Sequence, residues 1–182
     1  MGKATQNICN ICGKMHEEWP AITFDSPSHY INLSEEDKKN LALLKDDFCI
    51  ISWPDQTDRF IRCTLSQTVV DHCDNLEYGL WVSLSEKSFR DYIDNFSNEH
   101  HEVTYFGWLC NDIPGYDMDG NIPANVLTRG GTARPEIIPH KEVDHPFIKD
   151  YYNGITKATA EKRIQDVLSV VSKRNKSKSK PW

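Results

Sequence analysis

Two cysteines near the N-terminus have the spacing of a zinc knuckle. Cys9 and Cys12 are separated by two residues and followed by Gly13, and a tight turn of this kind can direct two thiolates at one ion. His16 lies four residues after Cys12 and can supply a third ligand. A redox role is disfavoured, because a redox-active pair of this spacing follows a strand and opens a helix. We therefore predict that Cys9, Cys12 and His16 bind one Zn²⁺.

The fourth zinc ligand is open among several residues. Cys49 ranks first, although a cysteine within an apolar strand is often only a small buried residue. His72 and Cys73 form an alternative, because with the two knuckle cysteines they would complete a different tetrahedral site. The remaining candidates are Cys63, His29 and His145. Four protein ligands would make the site closed and structural, and its zinc would then stabilise the N-terminal segment.

An enzyme is the alternative interpretation of the same ligands. If the protein supplied only Cys9, Cys12 and His16, a water molecule could occupy the fourth position in a zinc-dependent hydrolase. The candidate acids and bases for that reaction are Glu17, Glu18 and His145. The sequence contains neither a nucleophile elbow nor a phosphate-binding glycine loop. These observations favour a non-catalytic protein and assign no catalytic residue.

Two further motifs contain side chains that could act in a site. Asp144 and His145 could pair a carboxylate with a histidine, but the Asp-His-Pro run favours a helix start that Asp144 caps. Arg62 and Arg134 could each bind an anion. Neither motif defines a reaction by itself.

The charge is acidic overall and uneven along the chain. There are 21 basic and 27 acidic residues, which give a net charge of −6. The last ten residues contain five basic residues and no acidic one, so 16 basic residues oppose 27 acidic residues in the body. An acidic body disfavours nucleic acid as a partner. We predict that it binds a protein, as an immunity-type protein neutralises a basic toxin by electrostatically steered association.

Composition and apolar pattern predict a cytoplasmic α+β protein. Hydrophobic residues make up 38% of the chain, enough for one core, and no apolar stretch is long enough to cross a membrane. The first residues form no apolar run, so we expect no secretory signal. We predict a single domain over 1–172, with its zinc-knuckle head at about 7–20. A basic, disordered tail is predicted over 173–182.

The order of the predicted elements indicates a mainly antiparallel sheet with flanking helices. Hairpin-like neighbours precede each helix, and no regular alternation of strand and helix occurs. The predicted strands cover 48–52, 59–69, 79–84, 103–110 and 136–138. Predicted helices follow the capping residues Ser34, through about Lys45, and Ser85, and another opens at Thr156. The predicted long loop covers 111–125, where glycine and proline recur.

Seven short motifs occur in order along most of the chain. They are Cys9-x-x-Cys12-Gly13-x-x-His16, Phe60-Ile61-Arg62, Gly79-Leu80-Trp81-Val82-Ser83-Leu84-Ser85, Phe106-Gly107-Trp108-Leu109, Pro114-Gly115-Tyr116, Arg134-Pro135 and Asp144-His145-Pro146. From about Cys9 to Leu168, this series resembles the bacterial family called domain of unknown function 2199. The resemblance implies one α+β domain with a cysteine-rich head and assigns no activity. The chain departs from the family pattern at Cys63, where glycine is favoured, and over 118–127, where a histidine is missing.

Overall fold

The computed structural model describes residues 19–118 and 122–169 in full, and the backbone alone of 6–8, 15–17 and 170–178. Its strands are β1 (Gln6–Ile8), β2 (Met15–Glu17), β3 (Ile22–Thr23), β4 (Ala42–Leu44), β5 (Phe48–Ser52), β6 (Thr57–Gln67), β7 (Leu76–Leu84), β8 (Thr104–Leu109), β9 (Pro123–Leu127) and β10 (Glu136–Pro139). Its helices are α1 (Ser28–Ile31), α2 (Glu35–Leu41), α3 (Glu86–Asp94), α4 (Pro146–Asn153) and α5 (Lys157–Lys178).

Five strands close into a barrel. Strands β6 to β10 follow one another as antiparallel neighbours, and β10 then pairs in parallel with β6. The same sheet extends beyond the ring, because β3 pairs in parallel with β7 and β5 pairs with β6, with β4 outside β5. Strands β1 and β2 form a separate antiparallel hairpin. The predicted α+β class and mainly antiparallel sheet are confirmed, and closure into a barrel is a feature that the prediction lacked.

Along β6, side chains alternate between the core of the barrel and its outer face. Ile61, Cys63 and Leu65 are fully buried, whereas Arg62 and Thr64 between them are partly exposed. Each strand of the barrel contributes residues to the same apolar cluster, together with α4 and the N-terminal part of α5. A second cluster covers β5 and the start of β6; its buried members are Cys49, Ile51, Phe60, Trp81 and Cys110.

A close approach between β7 and β8 requires a glycine. A Cβ atom at Gly107 would lie 2.9 Å from the backbone oxygen of Ser83, closer than real Cβ contacts allow. The smallest residue therefore lets the two strands pack, and the aromatic residues on either side of Gly107 are directed to the other face of β8.

The predicted helix caps are confirmed at two helices. The Ser34 side chain accepts a hydrogen bond from the Asp37 backbone at the start of α2, and Ser85 accepts one from Ser88 at the start of α3. The α4 cap is His145 rather than the predicted Asp144, because the His145 ring accepts from the backbone of Phe147. The helix that starts at Lys157 continues to Lys178, into the segment predicted as a tail.

Two predicted boundaries are wrong. The helix expected to reach Lys45 ends at Leu41, because Ala42–Leu44 instead pairs with β5 and satisfies its backbone groups there. The predicted loop over 111–125 overlaps the start of β9, whose backbone pairs on both sides with β8 and β10. Within the described residues, no helix combines the length and apolar composition needed to cross a membrane.

Candidate functional site

The predicted zinc ligands near the N-terminus are described only in part. Cys9 and Cys12 lie outside the described residues. The backbone of His16 lies on β2, opposite Asn7 of β1. In the sequence, both cysteines fall between β1 and β2. The assignment of zinc to Cys9, Cys12 and His16 stays a prediction.

The predicted fourth ligand, Cys49, has the environment of a buried apolar residue. It is fully buried on β5, in one cluster with Phe60 and Trp81. This burial raises the pKa of the Cys49 thiol to about 12, because the charged thiolate loses its solvation. Zinc binds the thiolate, so this environment favours the protonated thiol over a ligand. Its role as a ligand stays a prediction.

The turn between β6 and β7 holds a second group of metal-binding side chains. The potential ligand atoms of His72, Cys73 and Asp74 lie within 4.8 Å of one another, and the three residues are partly exposed. We call these three residues the turn cluster. The His72 Nδ1 atom accepts a hydrogen bond from the Asp74 backbone at 3.1 Å, which orients the ring. Histidine, cysteine and aspartate are all zinc ligands, so the donor set fits this metal.

One contact connects the turn cluster with the chain just after the knuckle. The Trp19 ring stacks on the His72 ring, with centroids 4.2 Å apart and planes 17° from parallel. Trp19 follows His16 closely in sequence. The residue that leads out of the predicted knuckle therefore packs directly on one candidate ligand of the alternative zinc site.

An open cleft of about 780 Å³ lies beside the barrel, and we call it the Arg62 cleft. Its charged lining comes from two short segments and one strand. These residues are Asp25, Lys45, Asp46, Asp47 and Arg62. Its apolar lining consists of Leu44, Phe48, Ile93 and Phe96, from β4, β5 and the C-terminal part of α3 with the residues after it. A volume of this size is typical of a ligand-binding pocket.

The guanidinium of Arg62 is a cation without a partner among the residues that the structure describes. Its side chain forms no hydrogen bond or ion pair with the described residues, and its Nε atom is buried and unsatisfied. The carboxylate of Asp47, which lines the same cleft, is already paired, because Arg134 Nε donates to Asp47 Oδ1 at 2.7 Å. Buried donors of charged groups normally find an acceptor. The arrangement therefore leaves an anion-binding group at the cleft.

A buried polar network joins α5 to the barrel. Arg163 is 5% exposed and donates to Gln67 Oε1 at 2.8 Å and to Asp150 Oδ2 at 3.1 Å. Its guanidinium also bonds to the Tyr116 hydroxyl and lies over that ring, 4.4 Å from the centroid. The Tyr116 hydroxyl in turn donates to Asp150 at 2.7 Å. Because each of these groups contacts another group of the network, the arrangement indicates a structural role.

The predicted pair of Asp144 and His145 does not form a catalytic arrangement. His145 Nε2 lies 2.7 Å from the Asp117 backbone oxygen, and its Nδ1 accepts from the Phe147 backbone. Both ring nitrogens are therefore engaged by backbone groups. Asp144 instead pairs with Lys149 at 2.6 Å, and this partner lowers the pKa of its carboxyl group.

An aromatic patch is exposed on the outer face of the barrel. Phe106 and Trp108 on β8 are 48% and 39% exposed, and their rings meet edge to face with centroids 5.2 Å apart. His140 contacts Phe106 in the same manner at 5.5 Å. We call these three residues the β8 aromatic surface. Exposed aromatic residues in contact with one another are typical of binding surfaces.

The fold and these sites define a mixed α+β protein built on a closed five-stranded barrel, with a partly apolar cleft beside it. Residues 8–155 match the family described as an uncharacterized protein conserved in bacteria, DUF2199. The chain therefore belongs to this family, and the resemblance of its motifs is confirmed. The match ends before α5, so the helix that supplies Arg163 lies beyond it. No curated protein and no solved structure matches the chain.

Several residues of these sites had no assigned role in the sequence analysis. Arg163 is one of them. Its position beside the apolar face of the predicted helix, next to Ala160 and Ile164, was the sequence feature that could have indicated its burial. Phe106 and Trp108 appeared only as members of a motif. Their spacing of two residues within a strand directs both to one face, opposite the face that the core takes.

Proposed function

We propose that the protein is a non-catalytic, zinc-binding domain that binds a basic protein partner. Neutralisation of a basic toxin is the form of this function that the acidic charge suits. Three features support the proposal: the exposed aromatic surface, the excess of acidic residues, and the potential metal ligands of the N-terminal Cys-x-x-Cys motif and of the turn cluster. The first of them carries the argument, because it identifies where a partner would bind.

The β8 aromatic surface has the composition of an interface centre. Apolar groups of this size lower the free energy of a complex when a partner removes them from water. Phe106 and Trp108 support each other through their edge-to-face contact, so little ordering is needed on binding. Interface centres are enriched in tryptophan and other aromatic residues, whereas charged groups lie at the rim.

The net charge indicates the chemistry of the partner. At −6, the whole chain attracts a basic protein and repels an acidic one. Such attraction raises the association rate more than it lowers the dissociation rate, and salt screens it. A toxin that acts on nucleic acid carries the complementary charge.

For the zinc, we propose that Cys9 and Cys12 are joined by Cys73 and His72. The turn cluster supports this set, because its side chains already converge and Trp19 packs against His72. The set predicted first contains His16 and Cys49 instead, and the burial of Cys49 disfavours the thiolate. With four protein ligands, the metal would fix the N-terminal segment to the β6–β7 turn.

The function is tested by identifying a partner and then measuring the complex with purified components. A tagged chain is cross-linked in bacterial cells, and the captured protein is purified and titrated by calorimetry. We expect a basic protein whose affinity falls about tenfold or more for the double variant Phe106→Ser/Trp108→Ser. The affinity should also fall as salt rises.

The matched control is Leu168→Ser, which removes another exposed apolar side chain, 55% exposed on α5. This variant should bind as tightly as the unchanged protein. An equal affinity for the double variant, or a partner that is acidic, would contradict the proposed function. Circular dichroism of each variant establishes that the fold is retained.

A further inference from the structure

The Arg62 cleft has the features of a second binding site, independent of the proposed protein interface. We propose that this cleft binds a small ligand that has one carboxylate on an apolar body. The volume of about 780 Å³ accommodates a molecule of that kind. Nothing in the proposed function depends on this ligand, since the β8 aromatic surface is composed of other residues.

The requirement for an anion follows from Arg62. Its guanidinium lines the cleft without a hydrogen bond or ion pair to any described residue. The Nε atom is buried, so the two terminal nitrogens are the donors that an entering ligand can reach. A carboxylate accepts two parallel hydrogen bonds from such a pair of nitrogens. The carboxylate of the ligand would therefore accept the hydrogen bonds of the Arg62 terminal nitrogens.

The acidic residues of the cleft select among anions. Asp25, Asp46 and Asp47 line it beside two cations, Lys45 and Arg62. Of these carboxylates, Asp47 is paired with Arg134, and the other two are exposed. A phosphate with nearly two negative charges would be repelled by them more strongly than a carboxylate with one. Among the anions that Arg62 could bind, these carboxylates therefore favour a monocarboxylate over a dianion.

The apolar lining defines the remainder of the ligand. Phe48, Ile93 and Phe96 are partly buried and pack against the main core, and Leu44 packs against the second cluster. An apolar chain or ring in contact with these side chains would remove further surface from water. A bare anion such as acetate would make none of these contacts and should bind weakly.

Nuclear magnetic resonance titration tests the proposal with four probes. We expect 3-phenylpropionate and octanoate to bind saturably, with dissociation constants below about 1 mM. The neutral amide 3-phenylpropionamide and the dianion phenyl phosphate should bind more weakly than 3-phenylpropionate, by a factor of about ten or more. The amide signals that shift should include those of Phe48, Arg62 and Phe96.

Two variants assign the binding to Arg62. Arg62→Gln should weaken octanoate binding about tenfold or more, whereas Arg90→Gln should leave it unchanged. Arg90 is a suitable control because it lies on α3 and pairs with Glu86 outside the cleft. If Arg62→Gln fails to fold, the comparison of acid and amide on the unchanged protein decides the question. Failure of both acids to saturate by about 10 mM, or equal binding of acid and amide, would overturn the proposal.

Discussion

The described cysteines lie in two kinds of environment. Cys49, Cys63 and Cys110 are buried in the barrel and the adjoining cluster. Burial raises the pKa of all three thiols, to about 12 for Cys49 and about 11 for Cys110. Cys73 is partly exposed in a turn, beside a histidine and an aspartate. A thiol of the second kind is much easier to convert to a metal-bound thiolate.

This difference leads to a prediction on zinc content. Elemental analysis after dialysis should find about one zinc per chain in the unchanged protein and less than about 0.2 in Cys9→Ser and Cys73→Ser. Each of these two changes removes a thiolate from a site of four ligands. Cys49→Ala should retain the metal, because its thiol remains protonated in the core.

The outcomes separate the two ligand sets. Zinc retained in Cys9→Ser would contradict the knuckle itself. Zinc retained in Cys73→Ser but lost in a folded Cys49→Ala would return the fourth position to Cys49. Because both variants alter one sulfur atom only, their circular dichroism spectra provide the control for folding.

At the scale of elements, one charged side chain connects α5 with several other elements through polar contacts. Arg163 reaches Gln67 at the end of β6 and Asp150 on α4. Ala160 and Ile164 on the same helix are buried in the core. The helix is therefore held by apolar contacts and by hydrogen bonds that only an arginine at this position makes with several elements at once.

Replacement of Arg163 should lower the stability of the protein. Arg163→Met should lower the free energy of unfolding by about 2–4 kcal/mol, because it removes the cationic partner of Asp150 and one of the donors to Gln67. The value lies below that for a fully buried pair, since Asp150 is 40% exposed. Urea denaturation measures it, with Lys162→Met on the exposed face of α5 as the control. A loss no larger than that of the control would show that the network adds nothing to stability.

Elements with strong local signals could be predicted from the sequence. Helix α3 combines a serine cap with an apolar stripe, and β6 alternates between apolar and polar residues, so both were found. Strand β4 follows a helix without an intervening turn residue, and only its pairing with β5 makes it a strand. Strand β9 begins at Pro123, after a segment in which glycine and proline recur and which the sequence pattern therefore identifies as a loop.

The candidate sites depend even more on distant pairings. Arg62 could be named as an anion-binding residue, since it is an arginine within an apolar strand. The cleft around Arg62 could not be predicted from the sequence, because its walls come from a turn near Asp47 and from the end of α3 near Phe96. The position of the turn cluster beside Trp19 is likewise set by packing, not by spacing in the sequence.

At the scale of the whole molecule, buried weak acids connect stability with pH. The thiols of Cys49 and Cys110 have pKa values of about 12 and about 11 in the folded chain, against about 8.5 in an unfolded chain. Burial also raises the pKa of Tyr92 and Tyr105. The unfolded chain therefore loses protons first as pH rises, and unfolding becomes more favourable.

We accordingly expect a decline of stability on the alkaline side. The full stabilisation is present below about pH 8.5. By pH 10, each of these two thiols should lower the free energy of unfolding by about 1–2 kcal/mol. Urea denaturation at several pH values measures the decline. The double variant Cys49→Ala/Cys110→Ala should show a shallower decline, because only Cys63 and the buried tyrosines then contribute to it. Parallel curves for the two proteins would contradict this account.

Closure of the barrel also limits how another molecule can bind. The ring itself has no free edge, and the ends of the larger sheet are β3 with two residues and β4 with three. An extended peptide that adds to a sheet as a further strand needs a longer row of unpaired backbone groups than either end offers. Recognition by this sheet must therefore use side chains on a face, and backbone pairing between copies of the chain, the first step of many aggregates, has little to start from.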